Sequence, residues 1–218
     1  MITKENYFSE TEHAVRTFFD CIAHYSELIK MGVSPCTTFR HGTEEFETQY
    51  EEWVNQPEIR EAHKVAELAR KEYRAQFFSM HVVAGSILHI ACKAIELFST
   101  SSELNSKYSH LLSDCKPGLA KQAAKFSLGR EVRGVPLGLV ILAGRNQYNH
   151  IEVGADLNPL NKNIFKALVT GRNYGQDIFD PAFELNNEGL VSYSSNIRGV
   201  IGWNSYESYR SDMNDLLP

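Results

Sequence analysis

From Glu58 to about Phe98 the chain reads as helix almost without a break, and this stretch constrains the fold more than any other. Its first half is charged. Its second half, Phe77 to Phe98, is strongly apolar, the composition of a central core helix, with Gly85 as the place for a kink. Pro57 stands where a first helical turn accepts proline. With 218 residues, 43% of them apolar, the chain is long enough to bury a real core and is not disordered in composition.

The flanking pattern is helical too. Ser9-Glu-Thr-Glu12 has the form of a capping box, and apolar residues from Val15 to Ile29 recur at helical spacing. They predict a helix over about 10–30, ended by Gly32 and Pro35. A short acidic helix is expected from about Thr43 to Val54. After a polar break at 99–102, helices are expected around Leu104–Leu112 and Leu119–Leu128, the second stopped by Gly129. Leu137 to Ala143 is an apolar run, read as helix with strand as the alternative, and Pro136 suits its first turn. Gly134, Gly138 and Gly144 suggest close packing against a neighbouring helix. Asn158-Pro159 opens a helix over Leu160–Val169, closed by Gly171. Further on, Phe183-Glu-Leu and Leu190-Val-Ser-Tyr around Asn186-Asn-Glu-Gly189 read as a weak hairpin, and Asn204-Ser-Tyr-Glu207 caps a short last helix.

The fold class expected is therefore all-α. It divides into an N-terminal helical extension packed on the core (1–56), a helical-bundle core (57–175) and a small irregular or hairpin-containing C-terminal segment (176–218). No unbroken apolar run reaches the roughly 18–20 residues of a transmembrane helix, and the polar N-terminus lacks a signal sequence. A cytoplasmic protein with no membrane partner is expected. The cysteines, Cys21, Cys36, Cys92 and Cys115, make no Cys-x-x-Cys pair, so a zinc ribbon or redox motif is not expected. A net charge of −5 argues against a general nucleic-acid binder. Yet Lys116, Lys121, Lys125, Arg130, Arg133 and Arg145 share one window with a single acid, Glu131. That window is either a solvated face or a local positive field.

The chemically specific stretch is Arg145-Asn146-Gln147-Tyr148-Asn149-His150. In a regular helix Asn146 and His150 share a face, with Arg145 flanking it. An imidazole moves protons near neutral pH, an amide one turn away can orient it, and a guanidinium suits a phosphate. Acids are scarce nearby and no metal-ligand cluster accompanies the stretch, which favours phosphoryl chemistry without a metal or other cofactor. The competing reading is that Arg145 and His150 merely decorate a helix end, where basic side chains favour the macrodipole.

Arg-Asn-x-x-x-His at the end of an apolar helix resembles the signature of the HEPN superfamily, over roughly residues 57–175. The resemblance implies an all-α, typically dimeric domain, many members being metal-independent endoribonucleases that act as toxins or in antiviral defence. It implies that Arg145 and His150 are the catalytic pair, assisted by Asn146. It also raises the prospect of an antitoxin or other regulatory partner. One departure stands out. Where a nucleotidyltransferase partner silences such toxins, a Tyr lies two residues beyond the motif His; here that residue is Glu152.

On this reading RNA is the substrate, attacked by its own 2′-hydroxyl, so that DNA is spared. One motif supplies one histidine, whereas acid and base roles need two groups, and a symmetric dimer with a composite site would bring a second copy. Tyr148, Arg130, Arg133 and Lys125 are the candidate substrate contacts, with Tyr148 either stacking on a base or packing at an interface. His81 and His89 read first as partly buried histidines; alternatively one of them lines the cleft opposite His150. The alternative function is a non-catalytic all-α dimer binding RNA, a nucleotide or a protein partner. A third is a plain helical scaffold.

Overall fold

Pro57 at the first turn, alanines and long side chains thereafter, and no internal proline let one helix run from Pro57 to Phe98. The computed structural model describes residues 2–37, 46–149, 157–170, 172–173, 176–177, 179–187 and 192–217. In chain order the helices are α1 (Lys4–Met31), α2 (Phe46–Val54), α3 (Pro57–Phe98), α4 (Pro117–Phe126), α5 (Leu137–Asn149), α6 (Pro159–Val169), α7 (Ser194–Val200) and α8 (Tyr206–Leu216). The described residues also form two antiparallel pairs of two-residue strands: β1 (Glu131–Val132) with β2 (Val135–Pro136), and β3 (Arg172–Asn173) with β4 (Gln176–Asp177). The chain is all-α, as its periodicity predicts.

Several local expectations shift. The α1 helix begins before Ser9, and Thr3 provides its N-terminal cap by accepting from the Asn6 N–H at 3.2 Å. The expected helix at 104–112 is a 3-10 helix, Ser106–Leu112, with Tyr108 and Leu111 buried three residues apart as that geometry requires. Pro136 lies in β2, one residue ahead of α5, not in its first turn. Gly134 is a turn glycine: Arg133 and Gly134 have φ of 51° and 80° and link β1 to β2. Gly144 does mark close packing, since a Cβ there would lie 2.9 Å from Ile197 and 3.0 Å from Leu88. The hairpin expected around Asn186–Gly189 has no strand among its described residues: Phe183 sits in a 3-10 turn, and Tyr193 is the residue ahead of α7. Residues 188–191 lie outside the described residues. The C-terminal segment takes its hairpin from β3 and β4 instead, while Ser205 and Ser208 form the capping box of α8.

The chain forms two compact units, residues 1–19 with 81–218, and residues 20–80. These cuts fall inside α1 and α3, where the segments drawn from sequence break in loops. In the larger unit, α5 is the buried axis: every residue from Leu137 to Gly144 is buried. The second half of α3 contributes Ala84, Ile87, Leu88, Ala91 and Ile95, and α6 adds Leu160, Ile164, Phe165 and Leu168. The start of α1 packs on this core: the Tyr7 hydroxyl donates to the Ile90 carbonyl at 2.9 Å, and Phe19 meets Tyr209 of α8. The smaller unit buries Ile22, Tyr25, Leu28, Ala66 and Ala69.

An 18-residue window of α3 reaches a mean hydropathy of 1.4, enough by length and composition to cross a membrane, although half of it is buried inside the protein. No unbroken apolar run marks this window, because His81, Ser86, His89 and Lys93 interrupt the apolar sequence of the helix.

Candidate functional site

Successive residues of α5 leave the helix about 100° apart, so the motif side chains reach different neighbours. Arg145 turns to α3. Its Nη2 donates to Glu96 Oε1 at 2.7 Å and its Nε to Cys92 Sγ at 3.2 Å, leaving the side chain 18% exposed. Asn146 turns to α6, its Nδ2 donating to Asn161 Oδ1 at 3.3 Å. Asn161 is buried and is tied through its own N–H to Asn158, the cap of α6. Gln147 is buried and accepts the Tyr193 N–H at 2.9 Å, holding the start of α7. Tyr148 returns to α3, its ring so close over Gly85 that a Cβ at that position would collide with it. Asn149 is exposed. His150 lies outside the described residues.

Arg145 lines a cavity of about 170 Å³ with His89, Cys92, Lys93 and Glu96. The four α3 residues follow i, i+3, i+4, i+7 spacing, one helical face. Lys93 Nζ lies 3.3 Å from Glu96 Oε2, so one carboxylate sits between two cations. Burial pushes the Cys92 thiol up to about 11; the Glu96 charge adds to this and Arg145 opposes it. The thiol is therefore neutral near pH 7, a packing group and weak acceptor, not a nucleophile. Burial, helped by Cys92 and Glu96, likewise raises the neighbouring Tyr7 hydroxyl to about 12.

The candidate substrate contacts are not gathered here. Arg130 forms a two-pronged pair with Asp212, both bonds at 2.9 Å, and also donates to the Ile201 carbonyl. Arg133 donates to the Leu168 carbonyl and to Asp180, each at 2.7 Å, and lies over the Phe183 ring. Both tie chain segments together. Lys125 is half-buried on α4, where its carbonyl accepts from the Ser99 hydroxyl at 2.7 Å. Arg133 sits at the Leu168 end of α6 and Asn146 at the Asn161 end, about 10 Å apart along the helix at 1.5 Å per residue. Within the basic window from Lys116 to Arg145, Arg130, Arg133 and Arg145 are each paired with a carboxylate of the fold.

The histidines separate as well. His81 is 4% exposed, with Nδ1 3.3 Å from the Ser195 hydroxyl, while His89 is exposed at the cavity. Glu96, Cys92 and Lys93 escape a sequence reading. Their spacing from His89 is legible, but not which element that face meets.

The smaller unit holds a separate basic groove of about 520 Å³, lined by Ser34, His63, Glu67, Arg70, Lys71 and Arg74. Arg70 donates to the Ser34 hydroxyl at 2.7 Å. Among the described residues no group of three or more His, Cys, Asp or Glu is placed to hold a metal ion. Compared with family models, with curated proteins and with solved structures, the chain matches none.

Proposed function

We propose that the protein is a metal-independent endoribonuclease of HEPN type, with Arg145 and His150 as its catalytic pair. The observation that carries this reading is Arg145 itself. It stands at the exposed end of a buried helix, held by Glu96 at 2.7 Å, on a solvent-reaching cavity with a second cation, Lys93. A guanidinium so held is oriented in advance for charge developing on phosphoryl oxygens. Asn146 ties the last turn of α5 to the start of α6 through Asn161. Two protomers would place two motifs at one cleft, and a role as toxin or defence effector, with a cognate regulator, belongs to the same reading.

A second reading is favoured by one observation: Arg145 already has a carboxylate partner, which competes with any phosphate. A non-catalytic dimer that binds RNA, a nucleotide or a protein partner fits that arrangement.

The test is cleavage of single-stranded RNA and tRNA in excess chelator. The wild type is expected to leave 2′,3′-cyclic phosphate and 5′-hydroxyl ends. His150→Ala should lower the rate by roughly 10²–10⁴-fold, the contribution of a positioned acid or base. Binding without cleavage favours the second reading, and activity that survives His150→Ala sinks the mechanism.

A further inference from the structure

We propose that the basic groove of the smaller unit holds the backbone of a single-stranded nucleic acid, with the aromatic row of α2 stacking on its bases. None of these residues belongs to the Arg145 site, so the inference goes beyond the endoribonuclease reading and does not rest on it. His63, Glu67, Arg70, Lys71 and Arg74 of α3 line the groove. At 100° per residue they fall on one face of the helix, about 100° wide, while Glu61 and Glu72 leave from the other side. The groove therefore sets Arg70, Lys71 and Arg74 against one acid, Glu67. Arg130, Arg133 and Arg145 each face a carboxylate at 2.9 Å or less. The groove cations do not. Arg70 donates to a neutral hydroxyl, Ser34 at 2.7 Å, and Lys71 and Arg74, both exposed, make no hydrogen bond or ion pair among the described residues. Unpaired cations that share a concavity repel one another and favour an anion between them.

The shape of the groove and its neighbours identify the anion. A volume of about 520 Å³ exceeds what one phosphate group fills, and the α3 residues that line it run from 63 to 74, roughly 16 Å at 1.5 Å per residue. That length suits a chain of phosphates. At the His63 end stands a row of rings on α2. The Trp53 ring meets His63 edge-on at 6.1 Å, Tyr50 lies 6.2 Å from Trp53, and Phe46 stacks on Tyr50 at 6.4 Å. Phe46, Tyr50 and Trp53 share one face of α2, and Glu47, Glu51 and Glu52 leave that helix about 100° or more from Phe46. No residue of α2 is buried, and Tyr50 is 46% exposed. A cationic track beside a row of accessible rings is what a single strand needs, phosphates for the cations and unpaired bases for the rings. A duplex keeps its bases stacked inside, and a lipid surface is flat where these cations line a hollow.

The experiment titrates the whole chain into a fluorescein-labelled 2′-O-methyl oligoadenylate, following anisotropy across salt concentration and, in parallel, tryptophan fluorescence. This probe lacks the 2′-hydroxyl that would attack, so binding is read apart from cleavage. The wild type is expected to bind with a steep salt dependence and with quenching of Trp53. Trp53→Phe should abolish the quenching, since Trp203 is fully buried. Each phosphate contact on a single strand contributes about 0.7 to the salt slope, so Lys71→Gln with Arg74→Gln should lower the slope by about 1.4 and weaken binding roughly 25-fold at 0.1 M salt. Both side chains are exposed, and the thermal unfolding of this double variant should match the wild type. A wild-type slope in the double variant overturns the proposal, as does binding without quenching or equal binding of a duplex. Phosphatidylserine vesicles that bind through Lys71 and Arg74 while the oligonucleotide does not would also overturn it, in favour of a lipid surface. If ordinary RNA is not cut but the probe binds through the groove, the endoribonuclease reading falls alone. If RNA is cut and the probe does not bind, only the groove falls.

Discussion

Arg145, Cys92 and Glu96 show how one side chain's chemistry is set by the two beside it. The thiol at about 11 reflects burial first, then the Arg145 guanidinium pulling it down, with the Glu96 carboxylate adding a smaller upward push. With Cys21, Cys36 and Cys115 replaced by serine, the Cys92 thiolate can be titrated alone by its absorbance near 240 nm. Glu96→Gln removes a raising influence, so the thiol should titrate below the wild-type value. Arg145→Gln removes a lowering one, so it should titrate above. Shifts of the opposite sign would show that the three groups do not share one local field. Arg145, as the feature that matters, was legible in its sequence spacing, but its partner was not. Glu96 is 49 residues away and becomes a neighbour only when α3 and α5 pack.

Among the elements, helices were legible wherever periodicity, caps and prolines agree, as in α3 and α6. Weak turn signals were less so: Asn186–Gly189 resembles a hairpin turn in composition, yet the chain on either side is spent on buried packing by Phe183 and Tyr193. The clearest tie between elements is Asp212 of α8. It accepts from Arg130, just ahead of β1, and from the buried Trp203 indole N–H at 2.7 Å. Asp212→Ala leaves that N–H without an acceptor inside the protein and should cost about 1–3 kcal/mol in urea unfolding. Asp212→Asn keeps an acceptor and should cost less. Equal losses would mean that the charge on Arg130, not the indole, is what Asp212 serves.

For the whole molecule, acid stability depends in part on His81. Burial lowers its folded-state pKa, whereas an unfolded chain holds histidine near its ordinary value of about 6.5. The unfolded state therefore binds the proton more readily. Stability from this group is present above pH ~6.5 and is lost as pH falls through the folded value. The urea midpoint of the wild type should drop between pH 7.5 and pH 5, and His81→Gln should narrow that drop. An identical drop in both proteins would remove His81 from the account.

What the sequence by itself determined is the helical class, the position of most elements and the presence of one chemically unusual stretch. Each follows from local rules: a 3.6-residue period, a capping side chain, the kinds of side chain in a row. What only the tertiary structure decided is which of those side chains meet. Arg130 and Arg133 read as free cations along the chain, yet they are held by Asp212 and Asp180, 82 and 47 residues away. His81 and His89 share one helix, and packing against α7 buries the first while the second opens on a cavity beside Arg145. The physical reason is the same in each case. Burial and charge pairing depend on what the opposite element presents, and no local pattern carries that information.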